Sequence, residues 1–299
     1  IDRALLGNVQ FIAAIHGLRG VSESDGQRIK GFGRLKSYIR GVMRRLLNPS
    51  LLMKKVNLRG REGSLKKFFD QRSANDVFVV PCNYTKYSIE KLYGYGFKSQ
   101  LIVSYCPQTK LQKMSVRDIN LEHLKKDVRA LESKRFILSL NIDREEKNVD
   151  FSVTGFTEYV ETTQDNLTYV LVGKPTKQIV RCAGRVPSNI LILNELNIDE
   201  LAFLYTHCQC LVYPSISEGF GYPPIECMSF GSPVLSSVNT SLSEIFHRSA
   251  IFFNPGNIVD FQHKLQLIVD PEFNRVLREK MSEVILPITM RQSKDVTRI

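Results

Sequence analysis

The sequence predicts an α/β fold built on parallel, doubly wound sheets. Short apolar runs recur along the 299 residues. They are near-continuous rather than alternating, as in strands covered on both faces. Helical patterns fall between them, which is the rhythm of a parallel sheet.

The runs occupy residues 9–15, 77–81, 101–105, 136–140, 168–172, 190–193, 210–213, 234–236 and 251–253. Residues 151–163 and 198–208 read as helices between them. The alternation is most regular over residues 133–270, enough for one six-stranded Rossmann-like domain. The polar, weakly periodic stretch 115–134 marks a junction, so domains are expected at 1–128 and 129–299. The first part holds about three convincing strands, few for an open α/β sheet, and the chain begins at Ile1. An N-terminally incomplete first domain is therefore expected.

Composition narrows the class. Apolar residues make up 43% and charged residues 24%, a mixture that buries a real core. No run approaches the roughly 20 apolar residues of a membrane-spanning helix, and the first residues carry no signal-peptide pattern. The 6 cysteines therefore read as free thiols in a reducing, cytoplasmic compartment. Cys208 and Cys210 beside His207 lack a second ligand pair at zinc spacing, so no metal is expected.

The net charge of +11 is unevenly spread. Residues 28–67 carry many lysines and arginines against the single acid Glu62. Leu35, Tyr38, Ile39, Val42, Met43, Leu46 and Leu47 recur at helical spacing there, which makes an amphipathic basic helix. It either faces a core or meets an anionic membrane surface. Nucleic acid is not expected as a partner, because the stretch lacks a zinc knuckle, a helix-turn-helix pattern and interleaved aromatics.

The residues that carry chemistry follow the run 210–213. Ligands of open α/β sheets bind at the carboxyl ends of strands, and this loop lies at one. Gly219 and Gly221 remove side chains, so backbone amides can approach a ligand. Pro223 and Pro224 suit a helix start, and Gly231 with Pro233 suits its stop. Glu218 then lies on the loop and Glu226 in the first helical turns. A carboxylate accepts hydrogen bonds from two vicinal hydroxyls, so each glutamate can clamp a diol. A helix N-terminus beside them favours phosphate. A glycine-proline turn carrying two surface glutamates is the competing reading.

Glu218 and Glu226, inside E-G-F-G-x-P-P-x-E, resemble the E-x7-E motif of family-4 retaining glycosyltransferases. Residues 198–215 and 231–245 resemble the family on either side, where Ser241 and Glu244 also form a capping-box pattern. The resemblance implies the GT-B fold, in which two Rossmann-like domains face a cleft. It implies transfer of a sugar from a nucleotide-diphosphate donor to an acceptor hydroxyl, with retention and no required metal or other cofactor. Carried over, Glu226 clamps the donor ribose. Glu218, Gly219, Phe220, Gly221 and Tyr222 bind the donor around the transferred sugar. Lys147, with Arg144 standing in for a usual arginine, meets the diphosphate. His16, after the first run, resembles a histidine that approaches the donor sugar, so Glu218, His16 and Lys147 are the catalytic candidates. The implied acceptor is a sugar, lipid-linked or protein hydroxyl, as in polysaccharide or lipopolysaccharide assembly. Two alternatives stay open: a non-catalytic or partner-dependent GT-B subunit, and another GT-B enzyme such as an epimerase or phosphorylase.

Overall fold

The computed structural model describes residues 12–14, 74–93 and 100–298. The chain divides into two compact units, Ile1–Pro107 with Arg291–Ile299, and Gln108–Met290. His16 and the basic stretch 28–67 lie outside the described residues.

In the first unit, β1 (Ile12–Ala14) and β2 (Val77–Val80) precede helix α1 (Asn83–Tyr93) and β3 (Gln100–Val103). The three strands are parallel in the order β1-β2-β3, with Val77 opposite Ile12 and Gln100. Phe78 and Val80 are fully buried, as their apolar run implies. The C-terminal residues join this unit through side chains. Asp295 accepts the Tyr105 N–H at 2.9 Å, and the Gln292 amide donates to the Cys106 carbonyl at 2.8 Å.

The second unit opens with three short 3₁₀ turns, at Leu111–Lys113, Val116–Asp118 and Leu121–His123, and a single helical turn, α2 (Lys126–Arg129). Then come β4 (Phe136–Leu140), α3 (Val149–Thr163), β5 (Thr168–Val172), α4 (Lys177–Arg185) and β6 (Ile190–Leu193). After them follow α5 (Ile198–His207), β7 (Cys210–Tyr213), α6 (Tyr222–Ser229), β8 (Val234–Ser237) and α7 (Ser241–Phe246). The chain ends with β9 (Ile251–Phe253), α8 (Ile258–Val269) and α9 (Pro271–Arg298). All strand pairs are parallel, in the order β6-β5-β4-β7-β8-β9. Counted within the unit this is the 3-2-1-4-5-6 order of a Rossmann sheet, whose order reverses between β4 and β7.

The core explains why these runs are strands. β4 and β7 are buried at every position, so their residues are apolar apart from Ser139 and the Tyr213 hydroxyl, each of which is hydrogen-bonded. Phe156 of α3 packs edge-on to Tyr169 of β5 at 5.1 Å, and Phe253 of β9 packs likewise on Phe261 of α8. Burying each such side chain stabilises by roughly 1.5–3 kcal/mol. The buried Tyr169 hydroxyl is satisfied by Ser139 at 2.7 Å and Ser152 at 2.9 Å.

Residues 108–128, which the sequence pattern groups with the N-terminal part, belong to the second unit, and residues from Arg291 onward belong to the first. The reason for the earlier boundary is a set of hydrogen bonds to the start of α5. Asp199 accepts from the Asn120 N–H at 3.1 Å and pairs with His123 at 2.7 Å. Glu200 accepts from the Lys125 N–H at 3.0 Å, while closing a capping box with Asn197. The His123 side chain, with the Asn120 amide, holds the Asp199 carboxyl below its usual range against the opposing effect of burial. Burial pushes Glu200 up, but the Asn197 and Lys125 amides and the Lys125 ammonium outweigh it and leave the carboxyl low. Carboxyls depressed in the folded state add stability above their unfolded values, and that stability is lost as pH falls through the folded ones. Asp199→Asn is therefore expected to lower stability at neutral pH and flatten its decline below about pH 5, measured by urea denaturation across pH.

All six cysteines are free and buried. The His207 ring bonds its own helix at the Phe203 carbonyl and stacks on Phe203 at 4.1 Å. Among the described residues, no three His, Cys, Asp or Glu side chains gather where they could hold a metal ion. Among the same residues, no helix is long and apolar enough to cross a membrane.

Candidate active site

The site forms where the sheet order reverses. β4 ends at Leu140, and the following turn brings Lys147 to the start of α3. β7 ends at Tyr213, and the following loop carries Glu218 to α6. The two loops are tied, because the Ile216 N–H donates to the Glu146 carbonyl at 3.0 Å. Two helix N-termini therefore open at the carboxyl ends of neighbouring central strands, the place where an open α/β sheet receives anionic ligands.

Lys147 and Glu218 form a buried ion pair, their side chains 5% and 3% exposed. Tyr213 completes a closed triangle. Its hydroxyl accepts from the Lys147 ammonium at 2.7 Å and donates to Glu218 Oε1 at 2.8 Å. The ammonium also lies 4.5 Å from the centre of the Tyr213 ring. The competing picture of two surface glutamates does not hold, since Glu218 is 5% and Glu226 8% exposed. Arg144 differs from Lys147: its side chain is exposed and has no hydrogen-bond partner among the described residues.

Glu226 lies on α6, and the Tyr205 hydroxyl of α5 donates to its Oε2 at 3.2 Å. Burial, then the Glu226 charge, holds the Tyr205 phenol well above its ordinary range, so it remains a donor at neutral pH.

The loop backbone is fixed from β8 and α7. The Glu218 N–H donates to Thr240 Oγ1 at 3.1 Å, and Ser241 Oγ donates to the Glu218 carbonyl at 2.8 Å. Ser237 Oγ holds the Ser215 carbonyl at 2.5 Å. Ser241 thus anchors the loop and does not cap its own helix, whose N-cap position falls to Thr240. Thr240 has φ +54°, uncommon for a β-branched residue, and such conformations cost about 1–3 kcal/mol each.

Gly221 serves the fold at least as directly as it serves a ligand. It caps α6 at φ +84°, and a β-carbon there would lie 2.9 Å from Phe246 and 3.0 Å from Leu242. Gly221→Ala is expected to cost about 1–3 kcal/mol of stability, seen as a lower urea midpoint with an unchanged slope. Phe220 is buried and packs edge-on to half-buried Tyr222 at 5.4 Å, so Phe220 offers a ligand its backbone more than its ring. Helix α6 begins with prolines in its first turn and ends at Ser229, with Phe230 as its C-cap and Gly231 at φ +83° beyond it.

The structure thus brings together Lys147, Glu218, Gly219, Phe220, Gly221, Tyr222 and Glu226, while His16 lies outside the described residues. Tyr205, Tyr213, Thr240 and Ser241 hold the site, and the sequence does not mark them for it. Their only sequence signal is a hydroxyl in an otherwise apolar or capping position.

Residues 122–284 match the family described as glycosyl transferases group 1. The serotype-specific mannosyltransferase WbdA of Escherichia coli is 30% identical over 177 residues, 56% of this chain and 22% of that protein. The O-antigen chain mannosyltransferase RfbU of Salmonella typhimurium is 38% identical over 79 residues, 26% of this chain and 22% of the relative. The chain therefore spans about a fifth of the length of these curated relatives. Sucrose-phosphate synthase from Thermosynechococcus elongatus has a similar fold, with TM-score 0.62 at 18% identity over 83% of this chain and 62% of that one. That likeness is one of fold, and the fold class is GT-B.

Proposed function

The chain belongs to the group 1 glycosyl transferases, and we propose that it moves mannose from a nucleoside-diphosphate donor to a saccharide hydroxyl, with retention at the anomeric carbon. The observation that carries this reading is the meeting of Lys147 and Glu218 where the sheet order reverses, with Glu226 on the helix that follows. One cation, two carboxylates and two helix N-termini suit a ligand with a diphosphate between two diol-bearing sugars. The mannosyl group is suggested by the names of these relatives.

In this mechanism Glu226 takes the ribose diol and Glu218 with the Gly219–Gly221 backbone takes the transferred sugar. Lys147, supported by Arg144 and the helix N-termini, stabilises charge growing on the departing phosphate. That phosphate accepts the proton of the incoming hydroxyl on the face it leaves, which yields retention. The residues supply the positive charge themselves, so a chelator is expected to leave the rate unchanged. His16 is proposed to approach the donor sugar.

The test incubates the chain with nucleoside-diphosphate hexoses and a mannose-terminated oligosaccharide, and reads the new linkage by mass spectrometry and nuclear magnetic resonance. Transfer of mannose with the donor's anomeric configuration supports the proposal, and an inverted product contradicts the mechanism. A lipid-linked acceptor at an anionic membrane would engage the basic stretch 28–67. Sedimentation with vesicles that does not depend on anionic lipid counts against that part.

A further inference from the structure

Thr240 holds a backbone conformation that its side chain makes costly. Its φ is +54° and its ψ −128°, outside the left-handed helical region that asparagine visits readily. The other non-glycine residues of positive φ among those described are Asn141, Asn148, Gln164 and His247, and none of them is β-branched. A branched β-carbon crowds the backbone most on this side of the conformational map. Glycine would take the conformation freely, but it carries no hydroxyl. Strain of this kind persists where the surroundings over-determine it, and it gathers at functional sites.

The donor loop is what Thr240 serves. Its Oγ1 accepts the Glu218 N–H at 3.1 Å, and the next residue, Ser241, donates from Oγ to the Glu218 carbonyl at 2.8 Å. Bonds to the N–H and C=O of one residue orient the two rigid peptide planes that meet at its α-carbon. The direction in which the Glu218 side chain leaves the loop is set with them. Behind these two residues, Leu242 and Phe246 of α7 pack where a β-carbon on Gly221 would fall. α7 therefore grips the loop 218–221 at both ends. The chain that enters α7 is itself anchored on β9, since the Val238 N–H donates to the Phe253 carbonyl at 3.1 Å.

We propose that Thr240 is a positioning residue that aims the Glu218 carboxylate at the transferred sugar, and that this task keeps threonine in a conformation suited to glycine. The inference rests on the reading that Glu218 and the Gly219–Gly221 backbone take that sugar. In the same reading the diphosphate meets Lys147, which is carried by a different loop, between β4 and α3. A turn of the Glu218 backbone is therefore felt by the sugar more than by the diphosphate.

The experiment compares Thr240→Ser, Thr240→Val and Thr240→Gly with the wild-type chain. Calorimetry reads the binding of guanosine diphosphate and guanosine-diphosphate mannose, and of uridine and adenosine diphosphates with their glucose forms. Thermal unfolding reads stability. Thr240→Val keeps the branched shape and the strain and deletes the hydroxyl. It is expected to weaken the preferred sugar donor about fivefold or more, the loss of one hydrogen bond, and to leave the bare diphosphate nearly unchanged. Thr240→Ser keeps the hydroxyl and is expected to bind both as wild type does. Thr240→Gly is expected to melt a few degrees above Thr240→Val and yet to bind the sugar donor no better. Equal losses for donor and bare diphosphate, no loss for either, or a serine variant as weak as the valine one would overturn the proposal and leave the donor site standing. So would a glycine variant that regains donor binding together with stability, or one that melts no higher than the valine variant. A folded wild-type chain that binds none of the ligands overturns the donor-site reading and this proposal with it. Should Thr240→Val fail to fold, serine against glycine decides on the same pairs of ligands.

Discussion

Lys147→Met is expected to lower stability by about 3–5 kcal/mol, the cost of breaking a buried ion pair by removing one partner. The size follows from burial: the two side chains are 5% and 3% exposed, and the methionine removes the ammonium that pairs with the Glu218 charge. Adding Glu218→Gln is expected to recover most of the loss, because neither charge then remains uncompensated. Donor affinity is not expected to recover with it, since the phosphate still lacks its cation. Urea denaturation and donor titration on the single and double variants separate the two effects. A double variant as unstable as the single would mean that Lys147 acts through packing of its stem rather than its charge.

Glu226→Ala is expected to weaken donor binding by about 1.5–3 kcal/mol, roughly ten- to hundredfold. It also removes the acceptor of the buried Tyr205 hydroxyl, so some loss of unliganded stability is expected with it. A second comparison isolates the ribose. A 2′,3′-dideoxy nucleoside diphosphate is expected to bind the wild-type chain as weakly as the ribose form binds the variant, and to lose little more in the variant. Full additivity of the two losses would place the ribose away from Glu226.

The legible part of this protein was the part whose cause is local. Strands β4 to β9 appear in the sequence almost residue for residue, because a strand covered on both faces must be an apolar run. The α6 start was legible for a different local reason, since proline fixes φ and glycine admits the positive φ of the cap before any contact forms. The Glu218–Glu226 pair was legible as spacing, and the structure places both glutamates among buried hydroxyls. The unit boundary was not legible. Residues 120–125 have little periodicity of their own, and they belong to the second unit through bonds to Asp199 and Glu200, more than 70 positions away. The roles of the tyrosines were not legible for a related reason. Tyr205 and Tyr213 occupy positions any large apolar residue could fill, and only the placement of Glu226, Lys147 and Glu218 gives their hydroxyls a purpose. Ser241 looked like a cap because Glu244 follows at the right spacing, yet Thr240 at φ +54° enters the helix first and frees Ser241 for the Glu218 carbonyl.

In the proposed function the second unit holds a nucleoside-diphosphate sugar between Lys147, Glu218 and Glu226. Its most direct test is thermal unfolding of the chain against uridine-, guanosine- and adenosine-diphosphate sugars, with Glu226→Ala beside it. A rise in melting temperature for one donor, lost in the variant, is the expected result and names the nucleotide. A folded chain that shifts with none of them, or a shift that Glu226→Ala retains in full, would contradict it.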